Sequence, residues 1–155
     1  MSAEAALDKE RAIAILNRIL EQELAGVVRY THFSFMVFGY GRIPIVSWLR
    51  AQAEESLTHA VEAGEMITLL GGYPSLSIGP LLDTHKHDIG DILREALQTE
   101  AEALHAYRDL LDVAANRSVM LEEYARKQIS AEEMHAGEVD KMLRKQGQLA
   151  AYRDP

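Results

Sequence analysis

The sequence predicts an all-α fold, a four-helix bundle with a long crossover between helices 2 and 3. Three observations predict it. Apolar residues recur at helical spacing over long stretches, and no stretch alternates apolar with polar, so no strand is expected. Glycine and proline are sparse and divide the chain into four long segments, as helix stop signals do. Finally, an interval of 32 residues leads from Glu23 to Glu55 and again from Glu100 to Glu132, and a histidine follows each second glutamate, His59 and His135. A repeated interval of this kind describes two similar helical hairpins.

The first helix is expected from about Leu7 to Phe38, where Ile13, Leu16, Leu20, Leu24, Val27 and Val28 recur at helical spacing and Gly39 and Gly41 end the run. Pro44 suits the first turn of the second helix, because its missing N–H would have no intrahelical acceptor there. That helix carries Val46, Leu49, Ala53, Leu57, Val61, Met66 and Leu70 until Gly71-Gly72 stops it. Residues 73–87 hold Pro74, Gly79 and Pro80 and form the one long connection. It is long enough to return along a bundle and keep each hairpin antiparallel. A third helix begins near Asp88 or Asp91 and runs to about Ala115, the turn Asn116-Arg117-Ser118 follows, and a fourth helix continues to Gln146 before Gly147. The last eight residues read either as a short extra helix or as loose chain.

A chain of 155 residues suits a single domain spanning residues 1–155, and 48 % hydrophobic with 26 % charged residues describes an ordinary soluble globular protein. The absence of cysteine excludes disulfides, thiolate metal sites and thiol nucleophiles. It is compatible with the reducing cytoplasm, where the chain is expected. Met1 to Glu10 is polar and acidic without an apolar signal core. The most apolar stretch, Phe33 to Tyr40, is too short to span a bilayer, so no membrane association is expected. A formal charge of −8 argues against nucleic-acid binding, which relies on Lys and Arg neutralising phosphates.

On a helix, positions three or four apart share a face, so Glu132 with His135, and Glu55 with His59, can each hold one ion together. Glu23 and Glu100 lie on the preceding helix of each hairpin, and the shared interval places each near the depth of its own Glu/His pair. Four carboxylates would balance two divalent cations, whereas without metal they would repel one another and some would take up protons. Hard oxygen donors with neutral imidazole suit iron or manganese, and zinc fits the same donors. A single Glu-x-x-His is weak evidence, being common on solvated helix faces; the joint pattern carries the reading.

Tyr30 and Tyr107 each follow the leading glutamate of their hairpin by one heptad. They read either as amphipathic core residues or as phenols that donate to carboxylate ligands and hold their orientation. His85 and His87, beside Asp83 and Asp88, are expected in loop or capping roles, with a surface metal as the alternative. His32 and His105 read as ordinary helix residues. Glu54, Glu62, Glu133 and Glu138 are expected on a solvated or inter-subunit face, Glu54 and Glu62 being reserve ligands. Trp48 reads as a core or interface anchor.

These residues resemble the ferritin-like superfamily, and most closely the bacterioferritins. Gln22-Glu23-Leu24 with Tyr30 resembles that family's first-helix ligand and tyrosine. Glu132-Glu133-Met134-His135 resembles its fourth-helix metal motif, Glu100 falls where its third-helix ligand is expected, and Gly71-Gly72-Tyr73-Pro74 resembles its exit from the second helix. The resemblance runs from about residue 8 to residue 148. It implies a ferroxidase that binds two iron ions and uses O₂ or peroxide to oxidise Fe²⁺. Glu23 and Glu100 would be outer ligands, Glu55 and Glu132 bridges, and His59 and His135 terminal nitrogens. A homo-oligomer is implied, with iron storage if it closes into a shell.

Two departures stand out. The family's second-helix glutamate lies three residues before the histidine, where this chain has Ser56, and Glu55 lies four before instead. Either Glu55 supplies the bridge or that edge of the site is open. The family's axial haem methionine would fall at Leu57, and Met66 is two turns beyond His59, so no haem is expected. The competing readings are a non-storage di-iron or di-manganese oxidase or peroxidase acting as a dimer, a non-enzymatic helical stress-protection module, and a purely structural bundle.

Overall fold

A computed structural model of the chain describes residues 5–152 and contains four helices: α1 (Lys9–Met36), α2 (Arg42–Leu69), α3 (Ile89–Ala114) and α4 (Val119–Leu143). Among the described residues there is no strand, and no helix is long and apolar enough to cross a membrane. Residues 1–4 of the polar leader and residues 153–155 of the tail lie outside the described residues. The described residues fall into two compact units, one of Asp8–Ile92 and one of residues 5–7 with residues 93–152.

In the first unit α1 and α2 form a hairpin whose buried faces follow a heptad spacing. On α1 the seam is Ala12, Leu16, Ile19, Glu23, Gly26, Tyr30 and Phe33, and on α2 it is Val46, Leu49, Ala53, Ser56, Ala60, Ala63 and Ile67. The α2 seam is dominated by small residues, which lets the two backbones approach closely. Asp8 caps α1 by accepting from the N–H of Arg11 at 3.1 Å. The turn into α2 is held by the Arg42 guanidinium, which donates to the carbonyls of Ser34 at 3.2 Å and Val37 at 2.6 Å. These bonds satisfy C-terminal carbonyls that a helix otherwise leaves unpaired. At the far end Gly71, with φ +84°, closes α2: its N–H reaches the carbonyl of Thr68 at 3.0 Å and the Gly72 N–H reaches that of Ile67 at 2.9 Å. That pair of bonds is the Schellman pattern, and its left-handed position favours glycine.

The crossover, residues 70–88, runs along α1 in register. Asn17 donates to the carbonyl of Tyr73 at 3.2 Å and accepts from the N–H of Ser75 at 2.7 Å. The Gly79 N–H donates to the carbonyl of Glu21 at 2.7 Å, so close that a Cβ at Gly79 would stand 3.1 Å from that oxygen. Arg29 then meets the carbonyl of Pro80 at 3.3 Å, His85 meets His32, and His87 Nδ1 lies 2.9 Å from the carbonyl of Met36. The crossover ends at Asp88, whose carboxylate accepts from the N–H of Asp91 at 3.0 Å and starts α3.

In the second unit α3 and α4 are joined by a tight turn through Asn116, which adopts φ +62°. Asparagine tolerates this left-handed conformation better than most residues. Ser118 caps α4 by accepting from the N–H of Leu121 at 3.3 Å. The Glu122 carboxylate receives Arg126 at 2.9 Å and the N–H of Asn116 at 3.3 Å, which holds its carboxyl below the usual range, the Arg126 bond being the larger cause. α4 stops at Leu143, three residues short of the expected Gln146, because Arg144 turns extended and its side chain reaches back to Asp140 and forward to the carbonyls of Gln148 and Ala150. Beyond it, the described tail forms no further helix.

Candidate metal centre

Heptad seams normally take apolar side chains, yet each hairpin places carboxylates in them. Glu23 lies in the α1 seam and is only 5 % exposed. On α3, Glu100 continues the spacing of the buried Leu93, Ala96, Tyr107 and Leu110. On α4, Glu132 is 7 % exposed and follows Leu121, Ala125 and Gln128 at the same spacing. Burying an ionised carboxylate costs on the order of several kcal/mol without a compensating charge. Carboxylates therefore hold seam positions only where something else repays that cost.

The compensation begins within each hairpin. In the first, His59 is 8 % exposed and its Nδ1 stands 3.6 Å from Glu23 Oε1. In the second, His135 Nε2 stands 3.7 Å from Glu100 Oε1, both side chains being largely buried. The repeated interval of the sequence thus corresponds to a repeated contact, leading glutamate against histidine. Two donors each bound at ~2.1 Å to one ion stand ~3.0–3.4 Å apart, so both pairs need close by only a few tenths of an ångström to share a metal. Carboxylate oxygen and imidazole nitrogen, buried together, fit a divalent transition metal.

Glu55 stands differently. Its side chain is 50 % exposed, and Oε1 lies 3.7 Å from His59 Nε2, the ring nitrogen opposite the one that faces Glu23. Its neighbour Ser56 is buried against α1, where a Cβ built on Gly26 would come within 2.9 Å of Ser56 Oγ. The two helices approach closely here, which suits the small side chain of Ser56.

Tyr30 and Tyr107 are both buried within their own units. Tyr30 packs edge-on against Phe33 and Trp48, with centroids 6.2 and 6.5 Å away, and Tyr107 packs edge-on against Tyr124 at 6.2 Å. Trp48 is thus a packing partner of Tyr30. Glu54 and Glu138 are exposed and Glu62 is half-buried, while Glu133 pairs with Arg108 at 2.9 Å on the surface. His87 takes a capping role at the end of α1. His32 departs from the reading of an ordinary helix residue, because it meets His85, 53 positions away in sequence. No sequence spacing could have announced that contact, which depends on how the crossover lies on α1.

The ferritin-like domain family profile matches residues 13–148. No curated protein matches the chain in sequence. Among solved structures, it is similar to a ferritin-like diiron-carboxylate protein from Bacillus anthracis, with 27 % identity, coverage of 90 % of this chain and 100 % of that one, and a TM-score of 0.82. Two bacterioferritins share the fold. That of Rhodobacter capsulatus has 23 % identity, coverage of 86 % and 84 %, and a TM-score of 0.79. That of Desulfovibrio desulfuricans has 20 % identity, coverage of 87 % and 79 %, and a TM-score of 0.77. With four helices, a heptad seam carrying paired glutamate and histidine in each hairpin, and a profile match over most of its length, the chain belongs to the ferritin-like domain family and has its four-helix bundle fold.

Proposed function

We propose that the two hairpins form one domain around a di-iron centre, and that the protein is a ferroxidase oxidising Fe²⁺ with O₂ or peroxide. The observation that carries this reading is the buried glutamate–histidine contact repeated in both hairpins, at 3.6 and 3.7 Å. The diiron-carboxylate description of the Bacillus anthracis relative supports the metal identity. Manganese or zinc could occupy the same donors.

The proposed ligands are Glu23, His59, Glu100, Glu132 and His135, with Glu55 as a positioning residue behind His59. Bound by these residues, a pair of Fe²⁺ ions would supply two electrons to the oxidant, one from each ion. The carboxylates neutralise the cations in a buried setting and the imidazoles leave room for charge to change without unbalancing the site. Glu55 acts through His59: its carboxylate, 3.7 Å from Nε2, favours the tautomer that carries the proton there and leaves Nδ1 directed toward Glu23. That role departs from the bridge its place in the sequence suggests. Tyr30 and Tyr107 hold carboxylate ligands through their phenols, since a buried tyrosine hydroxyl needs a partner.

A homo-oligomer in the cytoplasm completes the reading, with storage following only from a closed shell. Val28 and Phe35 on α1, seven residues apart, and Leu57 and Val61 on α2, four apart, are exposed apolar pairs that suit self-association. Stopped-flow oxidation of Fe²⁺ with sizing of the product tests the proposal. Wild type should turn over Fe²⁺ and Glu132→Ala should lose at least tenfold in rate; equal rates in the two would overturn the assignment. A dimer-sized product would favour the non-storage oxidase over the shell.

A further inference from the structure

We infer that His32 and His85 form a second metal site, outside the carboxylate centre, that takes a zinc-class divalent cation and fastens the crossover to α1. His32 sits on α1 and His85 on the crossover, and His85 Nδ1 lies 3.3 Å from His32 Nε2. Two nitrogens bound at ~2.0–2.1 Å to a tetrahedral zinc ion stand ~3.4 Å apart, so the pair is already at ligand spacing. The rings are tilted by 59° with centroids 5.3 Å apart, an edge-to-edge approach and not a stack.

The other nitrogen of His85 supplies the second observation. Nε2 lies 3.6 Å from Asp83 Oδ1, so the carboxylate favours the tautomer that carries its proton on Nε2 and leaves the Nδ1 lone pair facing His32. A carboxylate behind the far nitrogen of a histidine is the usual support of a metal-binding imidazole, because it orients the ring and fixes its tautomer. Without metal the gap is spanned by the His32 Nε2–H donating to His85 Nδ1. With metal, His32 moves its proton to Nδ1 and both facing lone pairs bind the cation. His85 is 66 % exposed in its side chain, so water can fill the remaining positions and the ion can come and go.

Donor chemistry separates this site from the carboxylate centre. Two imidazoles and water favour Cu²⁺, Ni²⁺ and Zn²⁺ over Fe²⁺ and Mn²⁺. The bound cation links residues 53 positions apart, where the crossover's other ties to α1 are hydrogen bonds to main-chain groups and to Asn17.

Equilibrium dialysis of the full chain against Zn²⁺, counting ions bound per chain, tests this. His85→Ala and His32→Ala should each lose one zinc equivalent and leave the remaining zinc unchanged. Asp83→Asn should keep that equivalent with affinity weakened by less than the ~10–100-fold lost when a buried supporting carboxylate is removed, because Asp83 is fully exposed. Equal zinc counts in wild type and His85→Ala would overturn the inference, as would a loss in only one of the two histidine variants. His85 lies in the exposed crossover, so its substitution is tolerated structurally, and a zinc-free melt matching wild type checks that. Where His32→Ala does not fold, His32→Gln replaces it with the same expectation.

Discussion

Glu55 and Ser56 are adjacent on α2 yet meet different surroundings, one half exposed beside His59 Nε2 and the other buried against Gly26. Their contrast separates two roles for a carboxylate near a metal. A bridging glutamate needs both ionised oxygens, so an amide would serve it poorly. A glutamate that only accepts from Nε2–H keeps its function as glutamine, because the amide oxygen still accepts. The expected outcome is therefore that Glu55→Ala weakens metal binding about 10–100-fold while Glu55→Gln restores most of it. Glu132→Ala should abolish binding at the same concentrations. Titration of Mn²⁺ into the three variants reads this directly, and a Glu55→Gln variant as defective as Glu132→Ala would make Glu55 a bridge after all. The sequence made the candidate ligands legible because the 32-residue interval repeats and a histidine follows the second glutamate each time. It could not show which nitrogen of His59 faces Glu55, since that depends on ring orientation between two closely packed helices.

Three helix starts rest on chemistry that is local in sequence and so open to reading there: Asp8, Asp88 and Ser118 each accept from an N–H of the first turn. The end of α4 was less so, since it rests on Arg144 reaching back to Asp140 and forward to the tail, contacts that no spacing announces. The course of the crossover was likewise invisible: Pro74, Gly79 and Pro80 marked a connection, but its register on α1 comes from Asn17 and the close approach of Gly79 to Glu21. The turn before α4 offers a test. Glu122 joins Asn116 on the turn to Arg126 one helical turn onward, and these bonds hold its carboxyl below the ordinary value, Arg126 contributing most. A carboxyl whose folded pKa is depressed adds stability that is present above its unfolded pKa and is lost as pH falls through the folded one. Glu122→Gln should accordingly be slightly less stable than wild type at pH 7, and the difference should vanish once the pH is below the folded value. Urea denaturation of both proteins from pH 7 down through an acid series measures it; a deficit of equal size throughout would mean that charge at Glu122 contributes nothing. The exposure of the pair keeps the expected effect small.

The same glutamate–histidine contact in both hairpins gives the chain an internal duplication of charge as well as of shape. If each hairpin were stable with its carboxylates buried and uncompensated, metal would matter little to folding. The seam positions of Glu23, Glu100 and Glu132 argue otherwise, because ionised groups there are costly until cations neutralise them. A ligand that binds only the native state stabilises it by about 2.7 kcal/mol at a concentration 100 times its Kd. For a chain of this size about 1 kcal/mol moves the melting temperature by roughly 2–4 °C, so saturating metal should raise it by roughly 5–10 °C. Manganese is the cation to use, since it is the weakest of the series at an imidazole pair and leaves His32 and His85 largely unoccupied. Glu100→Gln removes the negative partner of His135 and should cut the manganese-dependent rise by about half, while His85→Ala should leave it unchanged. Thermal melts of the three proteins with and without manganese, after chelation, decide the point. A wild-type melt that ignores saturating manganese would exclude a buried metal centre, and a rise lost equally in His85→Ala would locate the stabilising ion on the crossover instead.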